Sequence, residues 1–132
     1  MTKQSVNKKI WLSPPHIEGK EELYVKEAFE TNWVSPQGPN VNAFESGLEN
    51  YLGNNAHVVV LSAGTAAIHL ALLLAGIEEG DVVLCQSFTF AASANPIVYI
   101  KAKPVFIDSE RESWNICPEL LEKAIKELIT SN

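Results

Sequence analysis

Residues Val58 to Gly76 read Val-Val-Val-Leu-Ser-Ala-Gly-Thr-Ala-Ala-Ile-His-Leu-Ala-Leu-Leu-Leu-Ala-Gly. Four β-formers, a turn of small residues and an Ala/Leu run closed by glycine predict a strand, a tight loop and a buried helix. A continuous Val/Leu run suits a strand covered on both faces, as in parallel sheets, and the Ala/Leu run is too apolar for a surface helix. Within the turn, Gly64 lets the backbone bend without a Cβ clash and Thr65 can cap the helix with its hydroxyl. The first amides of the helix then point outward unpaired, which makes an anion site matched to a phosphate. Many strand-to-helix turns look like this and bind nothing, so the turn alone does not establish a site.

Working outward, the upstream sequence predicts two helices. One runs from about Gly19 to Thr31 with Tyr24, Val25, Ala28 and Phe29 on one face, its early Glu18, Glu21 and Glu22 suiting the positive end. The other carries Val41, Phe44, Leu48, Tyr51 and Leu52 at helical spacing and ends at Gly53, a suitable C-terminal cap. Between them lies a loop, Asn32 to Asn40, with two prolines and a glycine framing Trp33. It reads either as a connector with one anchoring aromatic or as a ligand-facing loop.

Downstream, Val82–Cys85 and Lys103–Asp108 predict short strands, the latter with Pro104 at its entrance. The small-residue run from Ala91 predicts a helix that starts late or bends at Pro96. Pro118 opens a last helix whose stripe is Leu120, Leu121, Ala124, Ile125, Leu128 and Ile129. Strands alternating with helices predict an α/β fold in three α/β/α layers with right-handed crossovers. Three strands make a small, incomplete sheet, so its edges call for oligomerisation or a further segment. A disordered tail, residues 1–9, is expected before a single domain over 10–132.

The 132 residues carry a formal charge of -6 and no basic cluster beyond Lys8-Lys9, which argues against nucleic acid. Cys85 and Cys117 fit no metal-ligand spacing and read as reduced thiols, although spacing leaves a bridge open. The apolar run after the N-terminal lysines is only Ile10-Trp11-Leu12, so neither a signal peptide nor a membrane span is expected. These features together suit a cytoplasmic protein.

Several chemistries lack their residues. A dinucleotide fingerprint needs three spaced glycines and only Gly64 is present; there is no Gly-Lys-Ser/Thr and no Gly-x-Ser-x-Gly. His69, inside an apolar helix, reads as a core histidine. What remains is the phosphate-ready turn at Gly64, Thr65 and Ala66, plus Phe90 leading the next strand-to-helix junction. Both junctions lie at carboxyl ends of parallel strands, so one can hold a phosphate while the other stacks on a flat ring. That pairing suits a phosphorylated heteroaromatic cofactor, pyridoxal phosphate above all.

The ordered set Ser-Ala-Gly-Thr-Ala-Ala-Ile-His-Leu-Ala (62–71), Gln-Ser-Phe-Thr-Phe-Ala-Ala-Ser-Ala-Asn (86–95) and Lys-Ala-Lys-Pro-Val-Phe-Ile-Asp (101–108) resembles the DegT-type sugar aminotransferases. These are pyridoxal-phosphate enzymes of fold type I that aminate nucleotide-linked keto sugars for amino-sugar and surface-polysaccharide synthesis. Leu-Ser-Pro-Pro-His (12–16) and Asn-Trp-Val-Ser-Pro-Gln-Gly-Pro (32–39) are most similar to the branch acting on UDP-linked 4-keto sugars of the bacillosamine type.

The resemblance implies that Gly64, Thr65 and Ala66 hold the cofactor phosphate and that Phe90 stacks on the pyridine ring. It also implies that the loop with Trp33, Ser35 and Gly38 lies near the nucleotide sugar at a homodimer interface. Where the family has Asn-Ser before the Gly-Thr pair, this chain has Ser62-Ala63, so the side-chain hydroxyl next to the pair is lost.

The family's Schiff-base lysine, and the aspartate on the pyridine nitrogen, lie beyond the third strand and outside these residues. Lys101, Lys103, Lys123 and Lys126 read as solvated lysines, so no catalytic residue is expected in this stretch and cofactor binding by it alone should be weak or absent. Three readings follow. The chain is the N-terminal segment of a sugar aminotransferase that works with a complementary C-terminal segment. Alternatively it is a non-catalytic remnant or a partner module that docks on a complete subunit or a complementary fragment, or a generic α/β phosphate-binding domain.

Overall fold

The computed structural model describes residues 9–53 and 55–130. The expected tail at 1–9 falls, but for Lys9, outside the described residues. The chain divides into two compact units, Met1–Val60 and Leu61–Asn132.

The first unit holds helices α1 (Glu21–Glu30) and α2 (Pro39–Leu52). Glu21 opens α1 and its carboxylate accepts the amides of Glu18 at 3.0 Å and Gly19 at 2.8 Å. These bonds, the one from Glu18 first, hold that carboxyl below its usual range. At the other end Asn32 takes a positive φ of 60°. Its amide then donates to Phe29 at 3.3 Å and that of Trp33 to Ala28 at 2.8 Å, which is the Schellman pattern with asparagine in the place of glycine. Gly53, the expected cap, closes α2 with its amide on Glu49 at 3.0 Å.

The stretch Val58–Leu61 departs from expectation, because it has no regular structure and, among the described residues, pairs with no strand. The amide of Val58 donates to Glu49 Oε1 at 3.0 Å and that of Val60 to Glu45 Oε1 at 2.9 Å. Two glutamates one turn apart on α2 thus occupy the alternate amides that a neighbouring strand would otherwise take. Val59 is 70% exposed, so the run is not covered on both faces either.

The second unit holds α3 (Gly64–Leu74), β1 (Val82–Gln86), α4 (Ala91–Tyr99), β2 (Lys103–Ile107) and α5 (Pro118–Thr130). β1 and β2 form a two-stranded parallel sheet in which Val82 pairs with Lys103 and Gln86 with Ile107, where three strands were expected. Lys103 donates to Asp81 at 2.7 Å and Ser87 to Ile107 at 2.9 Å, so the odd-numbered residues of both strands face across the ladder. Pro104 therefore places its missing donor on the outer edge of β2, where no bond is lost, while the outer edge of β1 keeps the donors of Leu84 and Gln86.

Helix α4 makes the crossover between the strands and packs on both, α5 packs on β2, and α3 packs on α4. The small core sits where α4 meets β2: Ile97, Ala102 and Ile107 are at most 5% exposed, and Pro96 is buried with them. Pro96 stands inside α4, not at its start, giving up one helical bond in exchange for that burial. Gly76 and Lys101, at φ of 76° and 61°, end α3 and α4 by the same Schellman pattern as α1, with Ile77 on Leu72 and Ala102 on Ile97, both at 3.1 Å. The stripe of α5 is half covered: Leu121, Ala124 and Leu128 are half-buried, whereas Leu120, Ile125 and Ile129 stay exposed. Both cysteines are free and half-buried, and burial pushes the Cys85 thiol up.

Candidate functional site

The turn before α3 differs in one respect from its sequence reading. Ala63, extended at φ -159° and ψ 154°, is the N-cap, and no side chain caps the helix. Gly64 already belongs to the helix, so Thr65 stands second in it and cannot serve as the cap. The first bond along the helix is from Ala67 to Ala63 at 3.1 Å. The amides of Gly64, Thr65 and Ala66 precede it and have no acceptor within the helix. Gly64 does not need a positive φ, and a Cβ there would meet nothing within 4 Å among the described residues. Neither backbone conformation nor packing within the unit requires glycine, in contrast to the turn requirement read from the sequence.

Phe90 is the N-cap of α4 and is 86% exposed. It lines a hollow of ≈ 380 Å³ with Ser87, Phe88 and Thr89, directly after the carboxyl end of β1. Gly64, Thr65 and Ala66 are not among the walls of that hollow. The predicted cofactor residues thus share one unit and stand at the starts of two helices that pack on each other. Only the Phe90 junction follows a paired strand. His69 is half-buried with its ring edge-on to Tyr99 at 5.9 Å, on a helix α3 that has no buried residue, so it is not the core histidine of a buried helix that the sequence suggested.

In the first unit, Trp33 and Gly38 come together. A Cβ at Gly38 would sit 3.2 Å from Trp33 Cε3, and both residues line a hollow of ≈ 300 Å³ with Gln37, Pro39 and Asn42. Ser35 is outside that lining; its Oγ accepts the amide of Gln37 at 3.3 Å.

Sequence reasoning missed the groups that build the end of the sheet. The Gln86 side chain donates to Ser109 Oγ at 3.2 Å and to the Trp114 carbonyl at 2.6 Å, tying the 109–114 loop to the end of β1. Ser87 donates to Asp108 Oδ1 at 3.2 Å across the strand ends. A polar glutamine closing an apolar strand was the only signal. The four lysines lie elsewhere. Lys101 pairs with Glu79 at 3.0 Å, Lys123 with Glu127 at 3.8 Å and Lys126 with Glu122. Lys103 opens β2 at the end opposite Asp108.

With this geometry in view, residues 15–130 match the DegT/DnrJ/EryC1/StrS aminotransferase family. The chain belongs to that family. Among individual members it is 57% identical over 122 residues to EpsN of Bacillus subtilis (strain 168), itself provisionally described as a pyridoxal phosphate-dependent aminotransferase; the match covers 92% of this chain and 31% of EpsN. It is 40% identical over 114 residues to the GDP-perosamine synthase of Escherichia coli O157:H7, covering 84% of this chain and 30% of that protein. A solved DegT DnrJ EryC1 StrS aminotransferase from Brucella abortus superposes with a TM-score of 0.77 at 35% identity, over 87% of this chain and 30% of that one. The fold is accordingly that of the fold type I aminotransferases. This member of the family spans about three-tenths of the length of the curated relatives it matches. Among its described residues no helix is long and apolar enough to cross a membrane.

Proposed function

We propose that this chain is the N-terminal segment of a pyridoxal-phosphate-dependent aminotransferase acting on a nucleotide-linked keto sugar, as a cytoplasmic homodimer serving surface-polysaccharide synthesis. The observation that carries this reading is the start of α3, where three successive amides lack a helical partner beside a glycine with open space around it. A phosphate fits there: the amides of Gly64, Thr65 and Ala66 donate to it and the helix dipole favours its charge. Phe90, exposed at the start of α4, offers a face to the cofactor ring. When bound, pyridoxal phosphate supplies an electron sink for carbanion chemistry.

The part of this chain is to hold and orient. Charge-assisted bonds of about 1.5–3 kcal/mol each fix the phosphate, and stacking adds roughly 1 kcal/mol. Association costs of about 4 kcal/mol or more oppose them, so the segment alone retains the cofactor weakly. The nucleotide sugar would lie on the loop of Trp33, Ser35 and Gly38, a reading supported by the hollow walled by Trp33 and Gly38.

None of the four lysines stands beyond the carboxyl end of a strand, which leaves the acid/base lysine to a complementary C-terminal segment. That same observation favours the second reading, a non-catalytic module docking on a complete subunit. Borohydride trapping with pyridoxal phosphate, read by peptide mass, separates the outcomes. A stoichiometric adduct only after mixing with the C-terminal segment of a relative, and on that segment, is the expected result. A single stoichiometric adduct on a lysine of this chain alone overturns the proposal.

A further inference from the structure

Residues 56–61 read Ala-His-Val-Val-Val-Leu, a window rich in β-formers that holds no acidic residue, no lysine or arginine, no proline and no glycine. Where it is exposed, such a window is a template for pairing with the same window of another molecule. Here Val59 is 70% exposed, and Val60 and Leu61 are 38% exposed. We propose that Glu45 and Glu49 of α2 shield this run, occupying one of its edges and so keeping it from pairing with a second copy of the chain. This role goes beyond the transferase reading and is independent of the cofactor site.

The two carboxylates match the run in spacing. Residues four apart on a helix share a face and rise by about 6 Å, and alternate amides on one edge of a strand are about 6.6 Å apart. Glu45 takes the amide of Val60 and Glu49 that of Val58, so the run passes α2 in the opposite direction and turns these two amides to the same face. Amides two residues apart that point to one side are those a neighbouring strand would use. The bonds, at 2.9 and 3.0 Å, have ordinary length, and a second copy would have to displace both before pairing there.

Charge adds to the block. Helix α2 holds no lysine or arginine, and neither glutamate is in an ion pair among the described residues. Two copies meeting at this edge would bring both pairs of carboxylates together with no cation between them, which like-charge repulsion opposes. The sheet manages its edges differently. Pro104 blunts the outer edge of β2, whereas that of β1 keeps its donors. The β1 edge is the same in every variant of α2, so whatever association it causes is common to all of them.

The test is sedimentation velocity of the whole chain over a range of concentrations. The double variant Glu45→Ala, Glu49→Ala should associate at a concentration roughly tenfold lower than the parent chain. Adding Val59→Lys, which sets a charge at an exposed position of the run, should return it to the behaviour of the parent. A double variant that had merely lost its fold would not be rescued by a lysine at that position, so the third substitution separates the shield from a structural loss. Sedimentation of the double variant like the parent, or association that Val59→Lys leaves in place, overturns the proposal.

Discussion

The carboxylate of Glu45 accepts the backbone amide of Val60 at 2.9 Å, fifteen residues along the chain. With Glu49 one turn further on α2 holding Val58, it gives alternate amides of an apolar run the acceptors a strand would supply, with no strand beside it among the described residues. Bonds to an ionised acceptor contribute about 1.5–3 kcal/mol when well shielded, and partial exposure here brings that to the low end. Glu45→Ala should therefore speed hydrogen exchange of the Val60 amide roughly tenfold while leaving that of the β1 amides unchanged. Equal exchange rates at Val60 in both proteins would show that the carboxylate does not hold this segment.

Gly38 caps α2 at φ 156° and ψ -179°, a region almost reserved for glycine, with Trp33 against its Cα. An alanine there meets two obstacles: backbone strain of about 1–3 kcal/mol, and a contact of 3.2 Å with the indole that forces the ring aside. Gly38→Ala should lower the denaturant midpoint and shift Trp33 emission. The matching change at Gly64, where a Cβ meets nothing within 4 Å, should leave the midpoint nearly unaltered.

Lys101 ends α4 in the left-handed region at φ 61°. That conformation costs a non-glycine residue about 1–2 kcal/mol. Its ion pair with Glu79 is about 70% exposed on both sides and contributes at most about 1 kcal/mol. The strain outweighs the pair, so Lys101→Gly should stabilise the chain by roughly 0.5–1 kcal/mol. Urea unfolding of the variant beside Glu79→Ala separates the two contributions.

The core at α4 and β2 makes a sharper contrast. Ile97 is 2% exposed and Ile129 is 72% exposed, although both belong to apolar helix stripes. Ile97→Ala should cost about 2–5 kcal/mol, a large share of the stability of so small a core, whereas Ile129→Ala should stay within about 0.5 kcal/mol. Thermal unfolding of the two variants checks the ranking.

Much of this architecture was legible because its signals are local. Val82–Cys85 and Lys103–Asp108 mark β1 and β2 to within a residue, Pro118 begins α5, and Gly53 and Gly76 end α2 and α3. The absence of strand pairing at Val58–Leu61 was not legible, since an apolar run looks the same whether its amides meet a strand or two glutamates. Strand membership is a property of the partner, not of the run. Asn32 and Lys101 end helices as glycine does, yet neither residue type announces it. At the candidate site the amides of Gly64, Thr65 and Ala66 were readable from the turn. The Gln86 clamp on Trp114 spans 28 residues and leaves no periodic trace.

Acid should loosen the same loop. The Glu110 carboxylate accepts the Ser113 hydroxyl and the amides of Glu112 and Ser113, and these bonds, the hydroxyl first, hold its carboxyl below the ordinary glutamate range. A carboxyl whose folded value is depressed contributes stability that is present above its unfolded value and is lost as pH falls through the folded one. The loop from Ser109 to Trp114 should thus stay ordered at neutral pH and open only in the acid limb, below the usual glutamate midpoint. Ser113→Ala removes the largest cause, so the Glu110 titration should move up toward its ordinary value, as followed by carboxyl NMR. If the Glu110 midpoint stays where it was, the hydroxyl is not what holds it, and opening of the Trp114 loop in acid must then come from another group.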